Sequence, residues 1–349
     1  MTDATPIANP GYLRIATEEA FATREMLDHY RKLINEGIDD PGFHSLWGFY
    51  AISDAPRCRF IRDHLVDLGE KRLAHMDAAG VDKAVISLTA PGVQVMTRDD
   101  AVAFSVDAND QLAEACARYP DRFVGLAAAA PQDPQHAAKE IERGITKLGL
   151  KGVIVNSHIQ DEYMDNRKFW PVFEAAEALD VPIYLHPTSP SRHMIQPFLE
   201  AGLDGAIFGF AVETGLHLLR IITQGVFDQY PNLKIVVGHL GEALPFWLFR
   251  LDYMHEASVR SGRYECLKPL KRKVSDYLRD NVYVTTSGMG WEPAITFCQQ
   301  VLGVDNVMYA MDYPYQYNVA EVVAQDAMQI APSDKKKFYQ TNAERVFKI

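Results

Sequence analysis

The stretch KIVVGHLGEALPF, residues 234–246, has the pattern that decides the fold of this chain. Its apolar run stops at His239, as a buried parallel strand does at its carboxyl end. Three other runs end in the same way: LRIAT stops before Glu18, PIYL before His186 and VMYAM before Asp312. Because parallel barrel strands present their carboxyl ends on one face, where barrel enzymes keep their chemistry, these four side chains are predicted to converge.

Eight short runs rich in Val, Ile, Leu, Ala and Tyr alternate with segments of helical periodicity. The runs cover residues 12–17, 84–89, 123–128, 152–156, 182–185, 234–238, 282–286 and 307–311. The helical segments include residues 65–79, 101–118, 137–148 and 166–178. This alternation indicates parallel crossovers, and eight is the strand number of a TIM barrel. The sequence therefore predicts an α/β fold, a (β/α)8 TIM barrel, as a single domain over residues 1–349.

Two insertions depart from the minimal strand-helix unit. Residues 19–60 contain the aromatic-rich stretch HSLWGFYA, and residues 187–215 hold Pro, Gly and Phe in an irregular segment. Both are predicted to be loops over the active-site face, since they follow strands. Trp47, Phe49 and Tyr50 could line the site or simply pack a surface flap, and the pattern favours neither.

Composition argues against several classes of function. The 349 residues carry a net charge of −11, whereas nucleic-acid surfaces rely on clustered Lys and Arg. The basic run at residues 268–273 is short and is interpreted as a solvated face. No apolar stretch reaches the ~18 residues of a membrane span, and MTDATPIANPGY lacks signal-peptide features, so a cytoplasmic protein is expected. The scattered cysteines predict reduced thiols: Cys58, Cys116, Cys266 and Cys298.

A metal site explains the four strand-end residues better than core packing does. One buried histidine alone is usually a core residue, but four polar residues at four strand ends are not explained in that way. His217 lies in the helical stretch ETGLHLLRII and is interpreted as structural. His158, just past the fourth strand, is a minor candidate, and the other histidines fall in predicted helices or loops.

The segments TEEAF, YLHP, GHLGEALPFWLFRLDYM and MDYPY resemble the amidohydrolase superfamily, in the branch of aminocarboxymuconate-semialdehyde decarboxylase and the hydroxybenzoate decarboxylases. The resemblance covers essentially the whole chain. ATEEAFATRE, SLWGFYA and AIFGFAVETG most resemble members that act on 5-carboxyvanillate, in the breakdown of lignin-derived aromatics. The resemblance implies a metal-dependent carboxy-lyase for an ortho-hydroxylated aromatic acid. The expected substrate is 5-carboxyvanillate, with γ-resorcylate or 2,3-dihydroxybenzoate as alternatives.

The same resemblance implies that Glu18, His186 and Asp312 bind the metal. His239 then stands beside them as a catalytic partner. Two carboxylates and one imidazole with open positions form an oxygen-rich site, which favours Mn²⁺, with Zn²⁺ as the alternative.

The chain departs from its branch after the first strand. Relatives usually place a second ligand, a histidine, two residues after the first, where this chain has Ala20. Ala20 cannot ligate a metal. Glu19 is adjacent, but neighbouring residues on a strand point to opposite faces, so Glu18 is expected to be the ligand. Whether Glu19 has any role at the metal stays open.

Decarboxylation of a benzoate requires protonation of the ring carbon that carries the carboxylate. Asp312 is expected to deliver this proton after taking it from the substrate phenol. Guanidinium groups suit the substrate carboxylate, and the resemblance points to Arg57 and Arg250, with Arg250 offered to a neighbouring subunit of a homodimer or larger oligomer. The expected walls of the substrate site are Thr89, Phe210 and Tyr315.

Two rival functions stay open. A metal-dependent hydrolase would use the same barrel to activate water. Many such hydrolases carry His-x-His and a bridging lysine, neither of which occurs here, since the fourth strand ends at Asn156. A non-catalytic metal-containing barrel is the second rival, because a fold alone does not establish function.

Overall fold

The computed structural model describes residues 10–349. Most of the N-terminal segment MTDATPIANPGY lies outside that range. Within it, the barrel strands are β1 (Ile15–Phe21), β2 (Lys83–Leu88), β3 (Phe123–Gly125), β4 (Ala127–Ala128), β5 (Val153–Val155), β6 (Ile183–Leu185), β7 (Ile235–Val237), β8 (Val282–Thr285) and β9 (Val307–Met308). β3 and β4 are two parts of one barrel strand interrupted at Leu126, so all eight predicted strands are present.

The strands pair in parallel and in chain order. One sheet has the order β1-β2-β3, and the other runs from β4 to β9. The Thr17 amide donates to the Tyr309 carbonyl at 3.0 Å, and the Ala20 amide donates to the Tyr313 carbonyl at 2.7 Å. These bonds join the first strand to the last and close the barrel. The TIM-barrel prediction is confirmed.

Helices surround the barrel and fill its long loops. The α-helices span Arg24–Asn35, Pro41–Tyr50, Pro56–Leu65, Glu70–Ala79, Arg98–Arg118, Pro134–Thr146, Trp170–Ala178, Gln196–Ala201, Gly209–Thr223, Val226–Gln229, Leu244–Ser261, Val274–Asp280, Glu292–Leu302, Val319–Asp326, Pro332–Lys336 and Asn342–Phe347. Shorter turns of 3-10 or π geometry span Arg167–Phe169, Val304–Asn306 and Lys337–Thr341. Among the residues from 10 onward, no helix combines the length and apolarity needed to cross a bilayer.

The first insertion is largely helical, because its turns carry strong capping residues. Thr23 accepts the Met26 amide at the start of the helix Arg24–Asn35. Asp40 accepts the Phe43 amide and is followed by a proline, which together start the helix Pro41–Tyr50. The insertion therefore places a packed helical layer over the carboxyl ends of the strands.

The predicted helix over residues 65–79 is wrong in its first part. One helix ends at Leu65, and the next begins at Glu70. The Asp67 carboxylate accepts the amides of Gly69 and Arg72 at 3.1 and 3.0 Å. This local capping competes with continuous helical bonding and breaks the segment in two.

The aromatic residues of the first insertion divide between packing and exposure. Trp47 is fully buried, its indole N–H donates to the Ala90 carbonyl at 2.9 Å, and its ring meets Tyr30 edge-on. Phe49 is half exposed, and with Tyr50 it faces a cavity in the carboxyl-terminal face of the barrel. Trp47 is therefore a packing residue, whereas Phe49 and Tyr50 line the cavity.

Candidate active site

The four strand-end residues lie together at the carboxyl-terminal face. His186 directly follows β6, and Asp312 lies a few residues beyond β9. Glu18 lies inside β1 rather than after it, because β1 continues past a register shift between Ala16 and Glu19.

A cavity of about 340 Å³ opens at this face, and His186, His239 and Asp312 line it. Its size lies at the lower end of the range typical of small-molecule sites.

Three hydroxyl groups from the barrel interior orient the Glu18 carboxylate. Tyr184, Thr285 and Ser287 all donate to its Oε2 atom, with Thr285 at 2.9 Å. Glu18 is only 4 % exposed, so one carboxylate oxygen is saturated by protein donors and cannot rotate freely. The other oxygen, Oε1, is left facing the two histidines.

The surroundings of Glu18 Oε1 fit a bound cation. This atom is buried and has no well-aligned hydrogen bond, an arrangement that costs free energy unless a partner is supplied. His186 Nε2 lies 3.2 Å from it, and His239 Nε2 lies 3.9 Å from it. Within residues 10–349 no three acidic, histidine or cysteine side chains are already grouped closely enough to hold a metal ion together. The fit rests on the unpartnered oxygen and the imidazoles beside it, which are donors suited to Mn²⁺ or Zn²⁺.

The two histidines are held by contacts on their other ring nitrogen. His186 Nδ1 lies 2.8 Å from the Pro187 carbonyl, and His239 Nδ1 lies 2.8 Å from Glu242 Oε1. Such contacts fix the orientation of metal-binding imidazoles and leave Nε2 free. His239 also opens a turn in which residues 239–243 all have positive φ, a left-handed conformation that is costly for residues other than glycine.

Burial and neighbouring charges separate the pKa values of the two carboxyl groups. Burial alone would raise the pKa of Glu18, but His239 and His186 outweigh it and lower that pKa to about 2. Burial and the Glu18 charge raise the pKa of Asp312 to about 7, against the opposing charges of the two histidines and Arg57. For His239, burial opposes the charged form, but Glu242 and Glu18 raise its pKa to about 10.

Glu19 points away from the cavity, as expected for the neighbour of Glu18 on a strand. Its carboxylate accepts the Met311 amide at 3.0 Å and the Tyr313 amide at 3.1 Å. Burial raises the pKa of Glu19 to about 8, opposed by these two amides and by Arg72. Its contacts lie in the backbone on either side of Asp312 and not among the candidate ligands.

The predicted carboxylate-binding Arg57 and the three predicted wall residues differ in their placement. Arg57, Phe210 and Tyr315 line the cavity, and Arg57 also donates to the Tyr315 carbonyl at 3.0 Å. Thr89 does not line it: its hydroxyl lies 2.7 Å from the Tyr315 hydroxyl, so Thr89 supports that ring from behind. Tyr50 meets the same ring edge-on.

Arg250 is not brought to the cavity of its own chain. It is exposed on the outer helix Leu244–Ser261. The same helical face carries Phe246, Phe249 and Tyr253, which are 73, 85 and 63 % exposed. An arginine is thus set within an exposed aromatic surface.

His217, which the sequence predicted to be structural, and the minor candidate His158 both belong to buried polar networks. His217 is fully buried, with Nε2 accepting the Met164 amide at 3.0 Å and Nδ1 lying 3.3 Å from the Ser157 hydroxyl. Burial lowers the pKa of His217 to about 3. His158 lies 3.1 Å from the Ser189 carbonyl and does not line the cavity.

A larger cavity of about 760 Å³ lies elsewhere on this face, beside residues 36–40. Each basic side chain that lines it is paired with an acid: Arg98, Lys168 and Arg192 all form salt bridges. With these charges already neutralised, the larger space lacks the convergent free groups of a binding site, and we place the chemistry in the smaller cavity.

Sequence reasoning missed the residues that orient the predicted ligands. Tyr184 stands two residues before His186 on β6, the spacing that puts two side chains on one strand face. Glu242 lies three residues after His239. Thr285 and Ser287 carried no local signal, because their role depends on which strand packs across the barrel from Glu18.

A closed parallel barrel with a buried, half-satisfied carboxylate and two oriented imidazoles at its carboxyl-terminal cavity defines the class of metal-dependent barrel enzymes. The Amidohydrolase family model matches residues 56–349, and the chain belongs to that family.

Similar proteins support a narrower comparison. The chain is 36% identical over 346 residues to γ-resorcylate decarboxylase of Polaromonas sp., covering 96% of this chain and 98% of the relative. It is 58% identical to 5-carboxyvanillate decarboxylase of Novosphingobium aromaticivorans, solved with manganese and 4-hydroxy-3-methoxy-5-nitrobenzoic acid, with a TM-score of 0.97 over 100% of this chain and 99% of that one. The 5-carboxyvanillate decarboxylase of Sphingomonas paucimobilis is 41% identical, with a TM-score of 0.91 over 97% and 99% of the two chains.

Proposed function

We propose that this chain is a metal-dependent carboxy-lyase that converts 5-carboxyvanillate to vanillate and CO₂ without oxidation. The observation that carries the proposal is the cavity in which Arg57 faces His186, His239 and Asp312. The similarity of the whole chain to two 5-carboxyvanillate decarboxylases supports this substrate. γ-Resorcylate and 2,3-dihydroxybenzoate are the alternative substrates, the first supported by the relative of 36% identity.

The walls of the cavity suit a planar aromatic acid. Phe210 and Tyr315 offer apolar ring surfaces to the substrate ring, and Arg57 offers a guanidinium group to a carboxylate. Tyr315 is fixed by Thr89 and Tyr50, so this wall is preorganised.

Glu18, His186 and Asp312 are the proposed holders of a divalent cation, Mn²⁺ by preference and Zn²⁺ as the alternative. A cation held there would act as a Lewis acid toward an ortho-hydroxylated aromatic acid. The protein orients two of these ligands: hydroxyl groups of Tyr184, Thr285 and Ser287 hold Glu18, and the Nδ1 contact with the Pro187 carbonyl holds His186.

Asp312 is the proposed acid. Its carboxylate takes the proton of the ortho phenol and delivers it to the ring carbon that bears the carboxylate. The bond between that carbon and the carboxylate then breaks and CO₂ leaves. The electron pair of the broken bond stays with the ring and restores its aromaticity. His239, held by Glu242, donates a hydrogen bond from Nε2 within the cavity and stabilises negative charge there.

A substrate panel followed by ultraviolet absorbance tests the activity. We expect turnover of 5-carboxyvanillate, release of CO₂, and one deuterium at the vacated ring carbon in heavy water. Asp312→Asn should fold and lose turnover. Hydrolysis of lactones or amides without CO₂ release would instead establish the hydrolase, and tight metal binding with no turnover would indicate a non-catalytic barrel.

We further propose a homodimer in which Arg250 completes the site of the partner. An aromatic surface as exposed as the face containing Phe246, Phe249 and Tyr253 is typical of an interface, and aromatic residues and arginine are enriched there.

Mixing two inactive variants, Arg250→Ala and Asp312→Asn, tests this arrangement. If Arg250 acts across the interface, each mixed dimer holds one intact site, and about a quarter of the sites recover activity after random exchange. Recovery to no more than the sum of the separate variants would place Arg250 outside the partner's site.

The remaining proposals concern cell biology. All four cysteines are free, which is compatible with a reducing, cytoplasmic location. A role in the catabolism of lignin-derived aromatics follows from the proposed substrate. Cell fractionation and growth of a deletion strain on lignin-derived acids would test these two statements.

A further inference from the structure

Asp312 is held in an uncommon backbone conformation. Its φ is 68°, in the left-handed region that few residues other than glycine adopt. Such a residue keeps this conformation only where the surrounding structure over-determines it. The contacts of its two neighbours therefore decide where its side chain points.

The Glu19 carboxylate binds the backbone on both sides of Asp312. One oxygen accepts the amide of Met311 at 3.0 Å, and the second accepts the amide of Tyr313 at 3.1 Å. The amide of Asp312 itself donates to the Glu18 carbonyl at 3.2 Å. Three consecutive amides around Asp312 thus end on two consecutive residues of β1.

This carboxylate has no direct task in the cavity. Glu19 is 4 % exposed and does not line the cavity, and its side chain faces Arg72 of the helix Glu70–Ala79. Arg72 is itself 1 % exposed and is held by the Ala20 and Asp67 carbonyls at 2.6 and 2.9 Å. Burying a carboxylate is costly, and here its hydrogen bonds go to the backbone that carries Asp312.

We propose that Glu19 is a positioning residue that fixes the direction of Asp312 by binding the amides on both sides of it. The inference rests on the proposed role of Asp312 as the acid. It assigns Glu19 a function that does not require contact with metal or substrate.

Glu19→Gln tests the proposal because it keeps the shape and replaces one acceptor with a donor. The new NH₂ group then faces a backbone N–H, so one of the two hydrogen bonds that form this clamp on Met311 and Tyr313 is lost. We expect kcat to fall about 100-fold, as for a misplacement near 1 Å, with KM changed by less than about threefold. A crystal structure of the variant should show Asp312 outside the left-handed region.

Glu140→Gln is the matched control. Glu140 is also 4 % exposed, and it accepts hydrogen bonds from Asn109 and Arg143 on the outside of the barrel. We expect it to lower the thermal midpoint while leaving kcat unchanged. If both variants lose kcat only in proportion to their stability, Glu19 is merely structural.

Glu19→Asp keeps the charge but is one methylene shorter, so it can reach only one of the two amides. We expect an intermediate kcat and a largely native fold, which preserves the test if the glutamine variant does not fold. Full activity in either Glu19 variant overturns the proposal. If the unmodified protein decarboxylates no aromatic acid, the crystallographic conformation of Asp312 still tests the clamp separately from the proposed activity.

Discussion

Gly238→Ala is expected to disable the site by steric displacement of Glu18. Gly238 has φ −67° and ψ −177°, so alanine meets no backbone strain there. Its Cβ would lie 2.5 Å from Glu18 Oε2 and 2.9 Å from the Ser287 hydroxyl. To regain ordinary contact at 3.4 Å, the carboxylate oxygen must retreat by roughly 0.9 Å (3.4 minus 2.5).

That retreat breaks the hydroxyl contacts that hold Glu18. Each hydrogen bond to a charged group is worth about 1.5–3 kcal/mol, and overpacking costs about 1–3 kcal/mol. A displacement of this size near the chemistry costs about 100-fold in rate. We therefore expect Gly238→Ala to lose about 100-fold in kcat/KM, bind Mn²⁺ more weakly and unfold at a lower temperature.

Gly215→Ala is the matched control for this substitution. Gly215 is buried in the helix Gly209–Thr223, and its added Cβ would meet the Glu242 carbonyl at 3.5 Å, an ordinary contact. We expect unchanged activity and a stability gain of about 0.5–1 kcal/mol, as for glycine to alanine within a helix. The two variants are compared in three assays: decarboxylation followed by ultraviolet absorbance, titration with Mn²⁺, and thermal unfolding. Activity of Gly238→Ala within about threefold of the unmodified protein would refute the reasoning.

Adding Mn²⁺ to chelator-treated protein should raise the free energy of unfolding by about 2.7 kcal/mol at 100 times the dissociation constant. Glu18→Gln should abolish this gain, and an equal gain in that variant would place the ion elsewhere. Burial lowers the pKa of His217 to about 3, so the unfolded chain takes up a proton below its own pKa near 6.5 and stability falls as pH decreases from there towards 3. Urea unfolding of metal-free His217→Gln should show about 2 kcal/mol less loss between pH 6.5 and 4.5, whereas an identical loss would contradict the buried neutral state.

The sequence determined the barrel and the convergence of its strand-end residues. Apolar runs that stop at Glu18, His186, His239 and Asp312 are local patterns, and the parallel topology follows from their alternation with helices. Strand periodicity also separated Glu18 from Glu19, since adjacent side chains must point to opposite faces.

Only the tertiary structure decided how these side chains are oriented. Tyr184, Thr285 and Ser287 reach Glu18 because barrel closure brings β6 and β8 across from β1. The clamp of Glu19 on the amides beside Asp312 likewise joins residues at opposite ends of the chain. Such contacts depend on distances between distant segments after folding, which local periodicity does not encode. The chain thus specifies by local pattern which groups reach the site, and the closed barrel alone specifies which atoms are left free to act.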